Sequence, residues 1–252
     1  MICWADCLGN CGSKQSREHF VSENLWLGNT VWVQGLPWCA GAPKHIGIAN
    51  LTKKMLCREH NSELSPVDSS AGQSFDKLRE ATRLKSVREA MKPLRWTVKK
   101  YLLDGVMLER WFVKTLINIA FDGTYPIGSD SAVIGRPSER LVRIAYGLES
   151  FQGKAGLYTI AHVGMQFTLE DRVSFSPITA RAPQGEYVVA GLFLFRGFQF
   201  LLYLEPEGPQ DMTGLSFKGE DMSRASLMFQ TLTANIKVGN YLSHVIKIVR
   251  IK

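Results

Sequence analysis

The pattern of apolar and polar positions changes character twice along this 252-residue chain. Residues 1–70 hold only short strand-like pieces, such as "NTVWVQG" at 29–35, set among Gly, Asn, Cys and Trp. The stretch "LTKKMLCREHNSEL" (51–64) reads as a strand or turn running into a short helix. Pro66 should end that helix, because proline lacks an N–H and clashes with the preceding turn. A Ser or Asp cap at 68–70, followed by Phe75, Leu78 and Thr82, predicts a helix over about 69–92. Leu84, Val87, Met91, Leu94 and Val98 carry the same spacing onward, with a break or kink at Pro93. "LDGVMLERWFVKTLINIAF" (103–121) predicts a second helix, with Leu108, Trp111, Phe112, Thr115, Leu116 and Ile119 on one face. From about residue 124 the texture turns β-branched and aromatic, punctuated by Gly and Pro: "LVRIAYGL", "GLYTIAHVGMQFTL", "EYVVAGLFLFRGFQFLLYLE" and "HVIKIVRIK" predict an antiparallel sheet.

These elements place the chain in the α+β class, in three segments. Residues 1–72 form a small module, 73–121 a helical connector, and 122–252 a β-rich domain. The first segment is too short of apolar residues to build much core alone, and such modules need a staple. Hydrophobic residues make up 45% of the whole, enough for a globular protein with a substantial core. The apolar runs are too short and too interrupted to span a bilayer. The longest, "VVAGLFLFRGFQFLLYLE", has Arg196 in its middle and reads as two adjacent strands. The start "MICWADCLGNCGSK" lacks the charged-then-apolar order of a signal peptide. A cytoplasmic protein without a membrane partner is expected.

Charge sharpens the division. The net charge is +7, and residues 1–120 carry 17 basic against 11 acidic side chains. The segment 75–100 alone holds nine basic and three acidic residues. Arg79, Arg83, Lys85 and Arg88 within it could follow a phosphate backbone, although a solvated helix face accounts for the charge equally well. Trp96, in the same run, reads as a core residue. His162 and His244 lie in apolar strand-like contexts and read as structural histidines.

All five cysteines, Cys3, Cys7, Cys11, Cys39 and Cys57, fall in the first quarter of the chain. A disulfide framework would spread them, so clustering favours a metal. Cys7-x3-Cys11 and Cys57-x2-His60 form two ligand pairs suited to a tetrahedral zinc ion, with Cys3 as an equally spaced alternative. Cys39 reads as a buried thiol. Between the pairs lie Glu18-His19 and Asn50, and Asn61 directly follows His60. Phosphodiester hydrolysis needs a base, which a histidine can supply, and a hard cation such as Mg²⁺, which a carboxylate and an amide oxygen can hold.

The order "C…CG…SREHF…NLTKKMLCREHN" resembles the HNH endonuclease family, the ββα-metal nucleases with zinc knuckles. The resemblance covers the N-terminal quarter. It implies His19 as general base, Glu18 and Asn61 as ligands of a catalytic Mg²⁺ or similar ion, and Asn50 as the support of His19. It also implies Cys57, His60 and two upstream cysteines around a structural Zn²⁺. His60 stands where the family usually has a cysteine, and Asn61 where histidine is commoner. The function implied is metal-dependent cleavage of nucleic acid, with DNA as the expected form. The alternative is a non-catalytic, zinc-stapled nucleic-acid-binding protein with a β-rich effector domain. The β-rich segment itself shows no catalytic motif; choosing the target, binding a protein partner or a second copy, and regulating the nuclease all stay open for it.

Overall fold

The computed structural model describes residues 2–36, 38–91, 97–161, 170–195 and 197–208, and beyond these the strands 216–217, 220–221, 226–229, 233–238 and 241–249. In chain order the elements are β1 (Gln15–His19), β2 (Thr30–Gln34), β3 (Lys44–Gly47), β4 (Thr52–Cys57), α1 (Arg58–Glu63), α2 (Ser65–Ala90), β5 (Lys99–Asp104), α3 (Gly105–Ala120) and α4 (Glu139–Ala145). They continue with β6 (Gly156–Ala161), β7 (Arg172–Ala182), β8 (Gly185–Phe195), β9 (Phe198–Tyr203), β10 (Ser216–Phe217), β11 (Glu220–Asp221), β12 (Ser226–Phe229), β13 (Thr233–Val238) and β14 (Tyr241–Val249). Pro93, Trp96, His162 and Arg196 lie outside the described residues, as does the side chain of His244.

Helix α3 is the axis of the molecule. Asp104 starts it, its Oδ1 accepting the N–H groups of Val106 (3.0 Å) and Met107 (3.1 Å), as an N-cap should. Its predicted apolar face is buried, and most of the opposite side is buried too. An aromatic cluster joins it to its neighbours: Trp111 meets Phe75 of α2 edge-on (5.4 Å between centroids), and Phe112 meets Phe193 (5.0 Å) and Phe200 (4.8 Å) of the large sheet. Helix α2 fully buries residues only as far as Thr82; beyond it, Leu84 packs partly against the core. Pro66 follows the end of α1 at Glu63, as expected, and also opens α2, where its missing N–H leaves no bond unmade.

The strands form a seven-stranded sheet in the order β12-β6-β9-β8-β7-β2-β3, a three-stranded sheet β13-β14-β5, and the two-stranded pairs β1–β4 and β10–β11. Most pairs are antiparallel, but β2 runs parallel to β7 and β5 parallel to β14. Both parallel pairs join strands far apart in sequence, where no hairpin dictates the direction. Strands β2 and β3 thus extend the sheet built by residues 156–229, and one core runs from Trp4 and Leu56 through Phe75 and Trp111 to Phe195. The segments separated by their sequence texture share that core.

One expected strand is a helix. "LVRIAYGL" lies largely in α4, where Ser138 Oγ accepts the N–H of Leu141 (3.3 Å) and Leu141, Val142, Ile144 and Ala145 are buried. Packing against α3, sealed by Arg110 Nε donating to the Ala145 carbonyl (3.1 Å), outweighs the strand preference of its β-branched residues.

Gly35, directly after β2, has φ +83°, and a Cβ placed there would lie 1.6 Å from the carbonyl oxygen of Phe175 in β7. Gly35→Ala should therefore lower stability by more than about 1 kcal/mol, because both the left-handed backbone and the contact with β7 oppose a side chain. Urea denaturation of the two proteins measures this; an unchanged midpoint would mean that β2 does not dock on β7 as described.

Candidate metal centre

Cys3, Cys11, Cys57 and His60 place four donor atoms within 4.8 Å of one another. The Nδ1 atom of His60 lies 3.4 Å from Cys3 Sγ, 3.6 Å from Cys11 Sγ and 3.3 Å from Cys57 Sγ. Zn–S bonds of about 2.3 Å and Zn–N bonds of about 2.0 Å at tetrahedral angles require S···N separations of about 3.5 Å. The arrangement fits that requirement, and three sulfurs with one imidazole suit a borderline-soft ion. The group could hold a structural metal such as zinc.

Local structure explains why these four meet. Cys57 ends β4 and caps α1, which brings His60 back over it in the first helical turn. The N–H of His60 points at Cys57 Sγ (3.4 Å), and the N–H of Cys57 at Cys3 Sγ (3.4 Å). The N–H aimed at Cys3 favours its thiolate over its thiol, against the effect of burial. Cys3 is fixed because the N–H of its neighbour Trp4 donates to the Met55 carbonyl (3.0 Å) and the Trp4 side chain is buried. The chain then turns through Gly9 and Asn10, both at positive φ, to return Cys11. Tyr146 covers the site, its hydroxyl donating to the His60 carbonyl (2.8 Å) and its ring standing edge-on to the imidazole (5.7 Å). Burial pushes the Cys3 thiol up to about 12, and it raises Cys11 as well. Bare, the Cys3 and Cys11 thiols favour the protonated form; a dication bound among the donors would reverse the preference.

Cys7, named above as a zinc ligand, is not in this group. It sits in the short 3-10 turn Asp6–Leu8 and is exposed, whereas Cys3 is carried inward by Trp4. The upstream cysteines of the group are thus Cys3 and Cys11, a pair that sequence spacing alone did not single out. Cys39 is buried, its Sγ directed at the carbonyls of Val33 (3.4 Å) and Ala42 (3.5 Å), as a structural thiol would be.

The residues assigned to hydrolysis are placed on the ribbon formed by β1 and β4. Glu18 and His19 are consecutive in β1, so their side chains leave by opposite faces. Glu18 points into the core. Its Oε1 lies 2.6 Å from Lys114 Nζ and accepts from Asn118 Nδ2 (3.3 Å), and the side chains of Glu18 and Lys114 are 6% and 2% exposed. Lys114 also contacts both carboxylate oxygens of Asp68 at 2.7 Å. Asp68 accepts from Ser22 Oγ (2.5 Å), which accepts from Trp111 Nε1 (2.8 Å). Burial raises the Glu18 carboxyl above its ordinary range, and the Lys114 ammonium pulls it back. His19 is half-buried; its Nε2 has no hydrogen-bond partner among the described residues and lies 3.9 Å from a Glu23 carboxylate oxygen. Burial holds its pKa below the ordinary histidine value, against the pull of Glu23, and so favours the neutral imidazole. Asn61 is at the other end of the ribbon, its Nδ2 donating to Ser16 Oγ (2.8 Å). Asn50 is exposed, in the turn Ile48–Asn50 before β4.

The geometry therefore does not gather Glu18, His19, Asn50 and Asn61 around one open point. The cation beside Glu18 is an ammonium of the chain itself. Lys114, Asp68, Ser22 and Asn118 were not singled out in the sequence, although Lys114 and Asn118 stand out as polar residues four apart in the otherwise apolar "FVKTLINIA". Comparison with protein-family models, curated proteins and solved structures finds no match for this chain. No helix among the described residues is long and apolar enough to cross a membrane.

Two outcomes follow for mutants. Purified protein should carry about one zinc ion per chain; Cys3→Ser should lose most of it and Cys7→Ser should keep it, as read by elemental analysis. Metal retained in the first variant and lost in the second would reverse the ligand assignment. Separately, Lys114→Met should destabilise the fold by about 3 kcal/mol or more, because it strands Glu18 without its counter-charge. Denaturant titration at neutral pH measures that loss; a change below about 1 kcal/mol would show that the ion pairs add nothing net.

Proposed function

We propose that this chain is a metal-stapled nucleic-acid-binding protein that uses the architecture of its N-terminal part for recognition rather than for hydrolysis. The observation that carries this reading is the Lys114 ammonium, 2.6 Å from Glu18 and nearly sealed from water. Hydrolysis of the expected type needs Glu18 to offer its carboxylate to a divalent cation and a phosphate from solvent. A dication at Glu18 Oε1 would sit against Lys114 and repel it in a site of low polarity. Asn61, the other expected ligand, is engaged with Ser16. The excess of positive charge in residues 1–120 supplies affinity for a polyanion without any catalytic requirement.

A second reading, hydrolysis by an HNH-type mechanism, is favoured by one arrangement. The antiparallel strands β1 and β4 followed at once by α1, with a metal cluster at their junction, have the strand-strand-helix order that the sequence resemblance implies. His19 ends the first strand with a neutral imidazole able to take a proton. In that reading a bound Mg²⁺ would supply phosphate polarisation, and Glu18 would have to exchange Lys114 for it.

The two readings separate in one experiment. The zinc-loaded protein is titrated with a fluorescent DNA duplex over a salt series, and supercoiled plasmid is incubated with it in Mg²⁺ or Mn²⁺. Binding that weakens steeply with salt, with plasmid left intact, is expected. Nicking that disappears in His19→Ala would establish the second reading, and an absence of binding at low salt would overturn the first.

A further inference from the structure

We propose that the nucleic-acid backbone lies across the outer face of the β1–β4 ribbon, held by Arg17 and Lys54, and not along helix α2. This rests on the binding reading above and assigns it a surface. Arg17 and Lys54 are directly opposite each other in the ladder. Residues so paired in an antiparallel ribbon project from the same face about 5 Å apart, and like charges there repel. Both are exposed, and neither side chain makes an ion pair or hydrogen bond with another described residue. A phosphate between them converts that repulsion into two charge-assisted contacts. His19 projects from the same face, opposite Thr52. Lys14 and Arg58 extend the surface toward the metal cluster; both are exposed, and the Arg58 N–H donates to the Lys14 carbonyl (2.9 Å). Glu23, 3.9 Å from His19, marks the acidic limit at the other end.

Several neighbouring cations are otherwise engaged. Lys53, opposite Glu18, belongs to the inner face, where Asp122 binds its Nζ at 3.0 Å and the Phe121 ring lies 5.5 Å away. Along and beside α2, Arg79 pairs with Asp76, Lys85 with Glu89 and Lys99 with Glu80, while Lys77 and Arg88 bond the carbonyls of Leu102 (2.9 Å) and Thr97 (3.0 Å). That stripe stays cationic, with nine basic residues against three acidic, but five of its cations are already held by partners within the chain.

The test uses the full zinc-loaded chain and the labelled duplex, with affinity read by fluorescence anisotropy over a salt series. Removing one phosphate contact lowers the slope of log K against log salt by about 0.9. Arg17→Ala and Lys54→Ala should each show that loss, and Arg83→Glu on α2 should bind as the unmodified protein does. Lys54→Glu weakens binding further, yet its melting temperature should not fall, because an attracting pair with Arg17 replaces a repelling one. That variant separates lost contact from lost fold. Full slopes in both ribbon variants, with a reduced slope in Arg83→Glu, would overturn the assignment and leave the binding reading standing. A chain that binds no duplex at low salt would overturn both.

Discussion

A buried ammonium group must be neutralised, and that requirement at Lys114 organises the N-terminal half of the protein. Lys114 is 1% exposed, in the middle of the helix that forms the axis of the core. An isolated charge there would cost far more than a single domain's stability can absorb. Its two carboxylates come from β1 and α2, so the charge can be met only when both elements dock on α3 together. Ser22, Trp111, Asn118 and Trp4 complete a chain of directional bonds from the Asp68 side to the N-terminal segment. Apolar contact alone tolerates sliding; these bonds permit one placement of the β1–β4 ribbon on the helix.

The candidate metal cluster acts on the same ribbon from its other end. Gln15 and Cys57 are paired where the four donors converge, and His19 and Thr52 where Asn118 reaches the His19 carbonyl (3.0 Å). A two-stranded ribbon has too little buried surface to be stable by itself. Here an ion bound among three thiols and an imidazole would fasten one end, and a lysine-centred network fastens the other. Both fastenings are charge-based, and both lie in places where the surrounding apolar contacts could not specify register. The ribbon is therefore a rigid platform whose outer face is available for something other than stability.

The sequence was readable where a local rule applied and opaque where tertiary placement decided. Helix α3 follows from its apolar spacing, and the pairing of Cys57 with His60 from their separation across a strand-to-helix junction. Cys3 and Cys7 are equivalent by spacing from their neighbours; only the burial of Trp4 distinguishes them. Glu18 and His19 are adjacent in sequence, which suggested a joint role, but in a strand adjacency sends side chains to opposite faces. The helix at "LVRIAYGL" was concealed by β-branched residues whose cap, Ser138, lies just upstream. The parallel pairing of β5 with β14 joins segments separated by more than half the chain, and no short-range pattern encodes it.

The separation of roles between the ribbon's two faces depends on a single irregularity. Between Ser16 and Arg17 the register with β4 shifts: Ser16 faces Leu56, and Arg17 faces Lys54, so that Met55 is the extra residue of a bulge. A regular ladder from the same start would put Arg17 opposite Met55, Glu18 opposite Lys54 and His19 opposite Lys53. Lys54 would then take the inner-face place opposite Glu18 that Lys53 holds, and Met55 would be driven outward. The bulge lets Met55, Leu56 and Cys57 all be buried in succession, and it moves Lys54 to the face it shares with Arg17. One extra residue in β4 thus keeps Met55 in the core and sets Lys54 beside Arg17 on the solvent face of the ribbon.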